Sequence, residues 1–217
     1  MTDHIAKVFN GETKLGILGG GQLGKMMALP AANWHLPYWI LDTDASVPAA
    51  PYATKFVAGD FRKEEDVLRF GRQVDVLTIE IEHVHTGALH QLVKEGVVVH
   101  PSPEVLDIIK DKGAQKLFYQ KNDLPSSSFL LLEDETAIRA AVKSGQIKLP
   151  FVQKSRTGGY DGRGVTVIKT AEDLANNLLP GPALIEELVD IEKELAVVVA
   201  RNADGEAAKR HISTAIV

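Results

Sequence analysis

The stretch KLGILGGGQLG, residues 14–24, decides the fold of this chain. An apolar run over 14–18 has the length of a β-strand, and a turn rich in glycine follows it. Glycine adopts backbone angles that other residues avoid, so this turn can be tight and can bring its amides close to an anion. We expect a helix to begin near Gln22 and to be disturbed at Pro30. The stretch therefore predicts the strand, turn and helix that open a parallel α/β sheet.

The glycine pattern leaves three interpretations open. Gly19-x-Gly21-x-x-Gly24 matches the fingerprint of dinucleotide sites, with Asp42 as the acid for a ribose hydroxyl. The same turn at a helix N-terminus also binds a simple phosphate, or it is only a tight connection. A P-loop is rejected, because Met26 stands where that loop needs a serine or threonine hydroxyl for magnesium.

Strands and helices alternate after this turn. Strands are predicted at 38–41, 55–57, 74–79 and 97–99, with helices at 63–73 and 86–95. This alternation indicates a parallel sheet with helices on both faces, the Rossmann-like arrangement. Ligands gather at the carboxyl ends of such strands, which is where the glycine turn, Glu80 and Glu82 fall.

The pattern changes beyond Pro101-Ser102-Pro103. Helical segments continue to about Lys121, and short β-like runs follow at 151–154, 165–169, 183–188 and 195–201, with a helix near 171–178. These runs favour a more antiparallel, α+β unit. We therefore divide the chain into a Rossmann-like domain, residues 1–111, and the first part of an α+β domain, residues 112–217.

A second glycine-rich segment, SRTGGYDGRG at 155–164, lies between two of these strands. Such a segment is poor material for a core and suits a hinged loop whose amides approach an anion. Lys154 at the strand end and Arg163 inside the loop supply positive charge, and a lysine suits phosphate oxygens. The arrangement predicts a lid over a nucleotide phosphate, with a decorated hairpin loop as the alternative.

Two acidic segments, at residues 80–85 and 183–195, contain candidate ligand groups. Glu80 and Glu82 stand two apart at a strand end, so both can point to one face, where they could hold an amine, move a proton or simply be solvated. His83 and His85 could ligate a metal, but the sequence supplies no third ligand nearby. Residues 183–195, ALIEELVDIEKEL, offer either an adenine-binding strand edge with a ribose acid or an ordinary acidic hairpin.

Composition bounds the class of protein. The 217 residues carry a formal net charge of −5, which argues against general nucleic-acid affinity, since that requires a basic face. No apolar run approaches the ~18 residues of a membrane span, and the polar start lacks the apolar segment of a secretory signal. Zero cysteines exclude disulfides and thiolate catalysis. We expect a cytoplasmic protein without nucleic-acid or membrane partners.

Taken together, the motifs resemble those of one family. GGGQLG at 19–24, TIEIE at 78–82, PSP at 101–103, KSRTGGYDGRG at 154–164 and EELV at 186–189 occur in the order found in the N5-carboxyaminoimidazole ribonucleotide synthases, which are ATP-grasp ligases. The GGYDGRG string is the most specific part. The resemblance implies a Rossmann-like pre-ATP-grasp domain, followed by the lid subdomain and the start of the nucleotide-binding sheet of an ATP-grasp domain.

The resemblance also implies a reaction. ATP and bicarbonate would give carboxyphosphate, and the amine of 5-aminoimidazole ribonucleotide would capture its CO₂ in de novo purine biosynthesis. Carboxyphosphate hydrolyses easily, so a lid that excludes water is required. Phosphoryl transfer depends on positioning and charge neutralisation, which needs Mg²⁺ and cationic side chains. A homodimer is the implied assembly.

Residue roles carry over from the matched motifs. The implied ATP-binding residues are Lys112, Lys154, Gly159, Tyr160, Asp161, Gly162, Arg163, Gly164, Glu186, Glu187, Leu188, Val189 and Glu194. The two lysines would hold phosphates, 186–189 would line the adenine slot and Glu194 would take the ribose. Gln22, Leu23 and Glu80 or Glu82 would bind the ribonucleotide, with Tyr160 and Arg163 as catalytic residues. Family members often carry arginine where Lys112 stands. The lysine keeps the positive charge but lacks the two-donor guanidinium of arginine.

Family members continue past position 217 into a segment that brings the magnesium-binding acids. We therefore expect no metal ligand within this chain, and a truncated enzyme with little activity of its own. The final residues, 207–217, do not follow the family pattern. The alternatives are another ATP-grasp ligase, such as the formate-dependent glycinamide ribonucleotide transformylase, a non-catalytic nucleotide-binding fragment and, more distantly, an NAD-dependent oxidoreductase.

Overall fold

The structure is a computed structural model that describes residues 12–159, 163–193, 195–202 and 204–213. These residues form two compact units. The first contains the described chain up to Ser126 together with residues 156–159, and the second contains Ser127–Ser155 and the described chain from Arg163 onward. Within the described ranges, no helix has the length and apolar character needed to cross a bilayer.

The first unit is built on a parallel sheet. Its strands are β1 (Leu15–Leu18), β2 (Tyr38–Asp42), β3 (Lys55–Ala58), β4 (Val76–Ile79) and β5 (Val98–His100), and the sheet order is β3-β2-β1-β4-β5. Its helices are α1 (Gln22–Asn33), α2 (Glu64–Gly71), α3 (Thr86–Lys94), α4 (Pro103–Lys110) and α5 (Lys112–Lys121). The predicted Rossmann-like sheet is confirmed.

Helices cover both faces of this sheet. Ile17 and Ile40 are fully buried in one cluster with Ala28 of α1. Leu18 and Leu41, the next residues of the same strands, are buried in a second cluster with α2 and α3. Because successive strand residues point to opposite faces, burial on both sides explains why these strands are continuous apolar runs without polar alternation.

Pro30 does not interrupt α1, so the sequence-based prediction of a disturbance there is wrong. The helix continues to Asn33, and the Trp34 amide donates to the Pro30 carbonyl. Proline removes one N–H from the helix. The neighbouring Ala31 is buried in the α1 cluster, and this tertiary packing keeps the last turn helical.

The second unit contains an antiparallel sheet of β6 (Phe129–Leu132), β7 (Phe151–Ser155), β8 (Val165–Ile168) and β9 (Ala183–Glu187), in the order β6-β9-β7-β8. Two helices, α6 (Glu135–Lys143) and α7 (Ala171–Asn176), belong to the same unit. Buried Ile138 of α6 packs in one core with Phe151 and Ile185. A two-stranded antiparallel ribbon of β10 (Leu195–Arg201) and β11 (Ala207–Ser213) follows. The predicted α+β texture is confirmed.

Three elements of this unit were missing from the sequence-based prediction. Strand β6 is only four apolar residues, too short a run to distinguish a strand from buried helix. Strand β11 has a polar composition and is a strand because it pairs along its whole length with β10. Helix α6 carried a usable signal: the Asp134 carboxylate accepts from the Ala137 amide as an N-cap.

Gln153 joins the strands of this sheet to the chain that follows α7. The residue is completely buried in β7. Its Nε2 donates to the Leu179 carbonyl at 2.7 Å, and its Oε1 accepts from the Leu179 amide at 3.0 Å. Both polar atoms of the buried Gln153 amide are therefore hydrogen-bonded, and these bonds fix Leu179, in the segment that leads into β9, against β7.

We expect Gln153→Ala to lower the free energy of unfolding by about 2–4 kcal/mol, because it opens a cavity and leaves both polar groups of Leu179 without this partner. Urea denaturation followed by circular dichroism measures the change. Gln146→Ala, at an exposed position of the same unit, is the control and should change stability by less than ~0.5 kcal/mol. Equal effects of the two substitutions would contradict this role.

Candidate functional site

The first candidate site is the glycine turn between β1 and α1. Gly19 has φ of +98°, a conformation that favours glycine, and its amide donates to the Leu41 carbonyl at 3.0 Å. Gly21 is the N-cap of α1, where no side-chain cap is present among the described residues. Gln22 and Leu23 follow in the first helical turn, and both are exposed. The turn thus presents a helix N-terminus at the carboxyl edge of the sheet.

Asp42 supports this turn instead of facing a ligand. Its Oδ2 accepts from the Gly20 amide at 2.8 Å and its Oδ1 from the Thr43 amide at 2.6 Å. The residue is only 9% exposed. The acid that a dinucleotide site would use for a ribose hydroxyl is therefore engaged by the backbone, which disfavours that interpretation of the glycine pattern.

Glu80 packs directly against the same turn. A Cβ added at Gly21 would lie 2.5 Å from Glu80 Oε1, and one added at Gly19 would lie 2.7 Å from Oε2. Tyr38 lies behind the turn, where its hydroxyl donates to the Gly24 carbonyl. Burial, with a smaller contribution from the Glu80 charge, raises the pKa of Tyr38. A carboxylate in this position can accept a hydrogen bond from an amine.

Glu82 has different surroundings from Glu80. Strand β4 ends at Ile79, so the two-residue alternation does not extend to either acid. The Glu82 side chain is 47% exposed and lies 3.5 Å from His83 Nδ1. The structure therefore brings Glu80 to the glycine turn and leaves Glu82 at the surface.

The metal interpretation of His83 and His85 finds no support. His85 is the N-cap of α3, and its Nδ1 accepts from the Ala88 amide at 3.0 Å. In the part of the chain that the structure describes, no group of three or more acidic or histidine side chains could hold a metal ion.

A second group of candidate residues lies at the start of α5. Lys112 Nζ donates to the Gly159 carbonyl at 3.4 Å, and the Lys112 amide donates to the Arg156 carbonyl at 2.9 Å. Asp111, the N-cap of α5, accepts two hydrogen bonds from the Arg156 guanidinium. Lys112 is thus joined, through backbone and side chain, to the first half of the glycine loop.

Lys154 lies on the sheet of the second unit. Register pairs Val152 with Glu186 and Lys154 with Leu184, so these four side chains share one face. The Lys154 ammonium forms an ion pair with the Glu186 carboxylate, and Ser127 Oγ donates to Glu186 Oε1 at 2.7 Å. The Glu186 side chain is 6% exposed and that of Lys154 33%, so the buried acid holds a cation that still reaches solvent.

The end of β9 forms one wall of a cleft of about 490 Å³. Phe129, Leu149 and Phe151 give the cleft an apolar lining beside Glu186 and Glu187. The chain then leaves the sheet, and Leu188 and Val189 are exposed. This volume is within the range of small-ligand sites.

The glycine loop is described only at its ends. The Ser155 amide donates to the Gly164 carbonyl at 2.8 Å, which closes the base of the loop. Gly158 and Gly164 have φ of +75° and +72°, so both positions favour glycine. Arg163 is exposed. Tyr160, Asp161, Gly162 and Glu194 lie outside the described residues.

Sequence reasoning did not single out Asp111, Arg156 or Ser127 as site residues. Asp111 carried a signal, since an aspartate directly before a helix is an N-cap signature. Arg156 and Ser127 had none, because their partners stand 45 and 59 residues away in the chain.

Comparison with known families identifies both parts of the chain. A family model for the ribonucleotide synthetase preATP-grasp domain matches residues 12–110, and one for the ATP-grasp domain matches residues 117–214. The chain therefore carries a preATP-grasp domain followed by an ATP-grasp domain. The resemblance on the sequence motifs is therefore confirmed.

Individual relatives of this ATP-grasp chain point to one branch of the family. The phosphoribosylaminoimidazole carboxylase of Candida glabrata is 37% identical over 199 residues, which are 88% of this chain and 34% of that protein. The N5-carboxyaminoimidazole ribonucleotide synthetase from Thermotoga maritima is 40% identical with a TM-score of 0.81, over 91% of this chain and 52% of that one.

A third relative was solved with ligands. The N5-carboxyaminoimidazole synthase from Aspergillus clavatus, in complex with ADP and 5-aminoimidazole ribonucleotide, is 31% identical with a TM-score of 0.81. The alignment covers 91% of this chain and 52% of that one. The chain spans about a third to a half of the length of such curated relatives.

Proposed function

We propose that this chain provides binding sites for ATP and ribonucleotide in an N5-carboxyaminoimidazole ribonucleotide synthase. The reaction is ATP-dependent carboxylation of 5-aminoimidazole ribonucleotide with bicarbonate, in de novo purine biosynthesis. One observation carries the proposal: a relative that shares this fold at 31% identity was solved with ADP and that ribonucleotide. The Glu80 carboxylate at the glycine turn and the solvent-accessible ammonium of Lys154 supply the chemistry that these two ligands require.

The proposed reaction has two stages. A bicarbonate oxygen attacks the γ-phosphorus of ATP, the bond to the bridging oxygen breaks, and ADP and carboxyphosphate form. Carboxyphosphate then releases CO₂ and phosphate, and the amine nitrogen of the ribonucleotide bonds to the carbon and loses a proton. Both stages need a site from which water is excluded, because carboxyphosphate is readily hydrolysed.

Lys154 is proposed to bind ATP phosphate oxygens through its ammonium. Its ion pair with Glu186 supports this role, since the buried carboxylate orients the lysine ammonium. The adenine is proposed to lie against residues 186–189, where the chain leaves β9 beside an apolar cleft. Lys112 is proposed as a second phosphate ligand. The proposed contacts of Gly159, Tyr160, Asp161, Gly162, Arg163, Gly164 and Glu194 with ATP rest on the motif resemblance alone.

The ribonucleotide is proposed to bind at the glycine turn. Gln22 and Leu23 in the exposed first turn of α1 would lie beside its phosphate, which the helix N-terminus favours. Glu80 would accept a hydrogen bond from its amine, and the exposed position of Glu82 makes that residue the weaker candidate. Catalytic roles for Tyr160 and Arg163 remain part of the proposal.

Magnesium is proposed to arrive as the ATP complex, where it neutralises the phosphates. The described residues do not form a site that fits it, since none of their acids and histidines cluster in threes. We therefore assign no metal ligand and no step to it. We also propose a domain boundary at 111/112, which the two family matches support. A homodimer and a cytoplasmic location complete the proposal.

Phosphate release by a full-length protein that carries this chain tests the function. We expect release that depends on ATP, bicarbonate and 5-aminoimidazole ribonucleotide together. Release that depends instead on formate and glycinamide ribonucleotide would assign the chain to another ATP-grasp ligase. Sedimentation equilibrium of the same protein tests the homodimer.

A further inference from the structure

We infer that Asp111, Arg156 and Gly113 form a positioning cluster that fixes Lys112 for phosphate binding. None of the three is proposed to touch ATP. The inference rests on the proposed function, in which the Lys112 ammonium meets a phosphate oxygen.

The centre of this cluster is a forked ion pair. Arg156 Nε donates to Asp111 Oδ1 at 3.0 Å, and Arg156 Nη2 donates to Oδ2 at 2.5 Å. The two side chains are 28% and 26% exposed, so solvent screens the pair less than it screens a surface contact. Partial burial works to raise the pKa of Asp111, but the Arg156 guanidinium and the Ala114 and Gly113 amides hold it below its ordinary value.

Asp111 connects this pair to the helix that begins with Lys112. Its Oδ1 also accepts from the Gly113 amide at 2.7 Å and from the Ala114 amide at 3.2 Å. The Lys112 amide in turn donates to the Arg156 carbonyl at 2.9 Å. The backbone of Lys112 is therefore held between Asp111, which caps the helix, and Arg156, which forms the ion pair with Asp111.

Gly113 allows the guanidinium to approach this closely. It is buried, and a Cβ added there would lie 2.7 Å from Arg156 Nε and 3.1 Å from Asp111 Oδ1. A glycine inside a helix is less favourable than an alanine. The close approach of Arg156 gives a reason for glycine at this position.

The consequence falls on the Lys112 side chain. Its ammonium already points to the Gly159 carbonyl at 3.4 Å, at the start of the glycine loop. A lysine stem is long and loses rotamer freedom when its ammonium binds a phosphate. Holding its backbone in place reduces the further ordering that phosphate binding requires.

Gly113→Ala tests this inference most directly, because the added methyl displaces the guanidinium without changing any charge. Calorimetry on the full chain should show about tenfold weaker binding of a nonhydrolysable ATP analogue, the loss of one charge-assisted contact. Adenosine affinity should be unchanged, because adenosine carries no phosphate. The melting temperature should change little, because the gain in helix propensity offsets the loss of the ion pair.

Three further variants separate the parts of the cluster. Asp111→Asn keeps an N-cap acceptor but loses the charge that holds Arg156, so it should also weaken analogue binding. Arg156→Lys keeps one charge without the fork and should have an intermediate effect. Glu95→Gln is the control, because Arg72 makes a similar fork to Glu95, at 2.8 and 2.7 Å, away from the proposed site.

Three results would overturn the inference. If Gly113→Ala and Asp111→Asn bind the analogue as tightly as Glu95→Gln while Lys112→Ala binds it weakly, Lys112 is a ligand that needs no positioning, and the proposed function stands. A parallel loss of adenosine affinity would show general damage to the fold. If Lys112→Ala also binds normally, the proposed phosphate contact of Lys112 fails as well.

Discussion

Lys154→Ala is expected to reduce ATP-dependent carboxylation by a factor of about 10³ or more in a full-length protein that carries this chain. Phosphoryl transfer depends mainly on positioning and on cations that neutralise the phosphates, so loss of a phosphate-binding ammonium removes transition-state stabilisation directly. Phosphate release with saturating bicarbonate and ribonucleotide measures the effect. Lys143→Ala, at an exposed position at the end of α6 in the same unit, should retain nearly full activity.

The ion pair complicates this variant, because Lys154→Ala also leaves Glu186 buried without its cation. A buried carboxylate that loses its cationic partner destabilises the fold. The double variant Lys154→Ala/Glu186→Gln should regain stability but not activity. Recovery of activity in the double variant, or turnover by Lys154→Ala within a few-fold of the unmodified protein, would count against Lys154 as a phosphate ligand.

Glu80→Gln is expected to lower kcat by about 10²-fold with little change in the KM for ATP. The Glu80 carboxylate packs on the glycine turn, where the ribonucleotide is proposed to bind. Glutamine keeps the shape but cannot take up a proton or balance a positive charge, and such a group typically contributes 10²–10⁴-fold. Steady-state kinetics with each substrate varied in turn separates the two effects.

Glu82→Gln is the matched control for this prediction. Both acids belong to the TIEIE motif, yet only Glu80 contacts the glycine turn, and the Glu82 side chain is 47% exposed. We expect Glu82→Gln to change kcat by less than a few-fold. A larger loss for Glu82→Gln than for Glu80→Gln would reverse the assignment.

Local sequence was enough to predict most of the helices and strands, but it missed β6, α6 and β11. The apolar run into Gly19 predicted β1, the turn and α1, because strand burial and glycine conformation are local properties. Lys154 was predicted at a strand end because a β-like run precedes it and a glycine-rich segment follows it. The fate of α1 at Pro30 was not predictable, since it depends on packing of the following turn against the sheet.

The partners of the site residues were beyond reach of the sequence. Asp42 matched the position of a ribose acid, yet its oxygens bind the Gly20 and Thr43 amides. The pairing of Lys154 with Glu186 depends on the antiparallel register of β7 and β9, which no local pattern specifies. Composition identified the charged groups, and only the register and the loop geometry determined which of them meet.

A crystal structure with a nonhydrolysable ATP analogue tests the central claim most directly. We expect phosphate oxygens within hydrogen-bond distance of Lys154 Nζ and the adenine against residues 186–189. An analogue bound instead at the glycine turn of residues 19–24, with no nucleotide density beside Lys154, would contradict it.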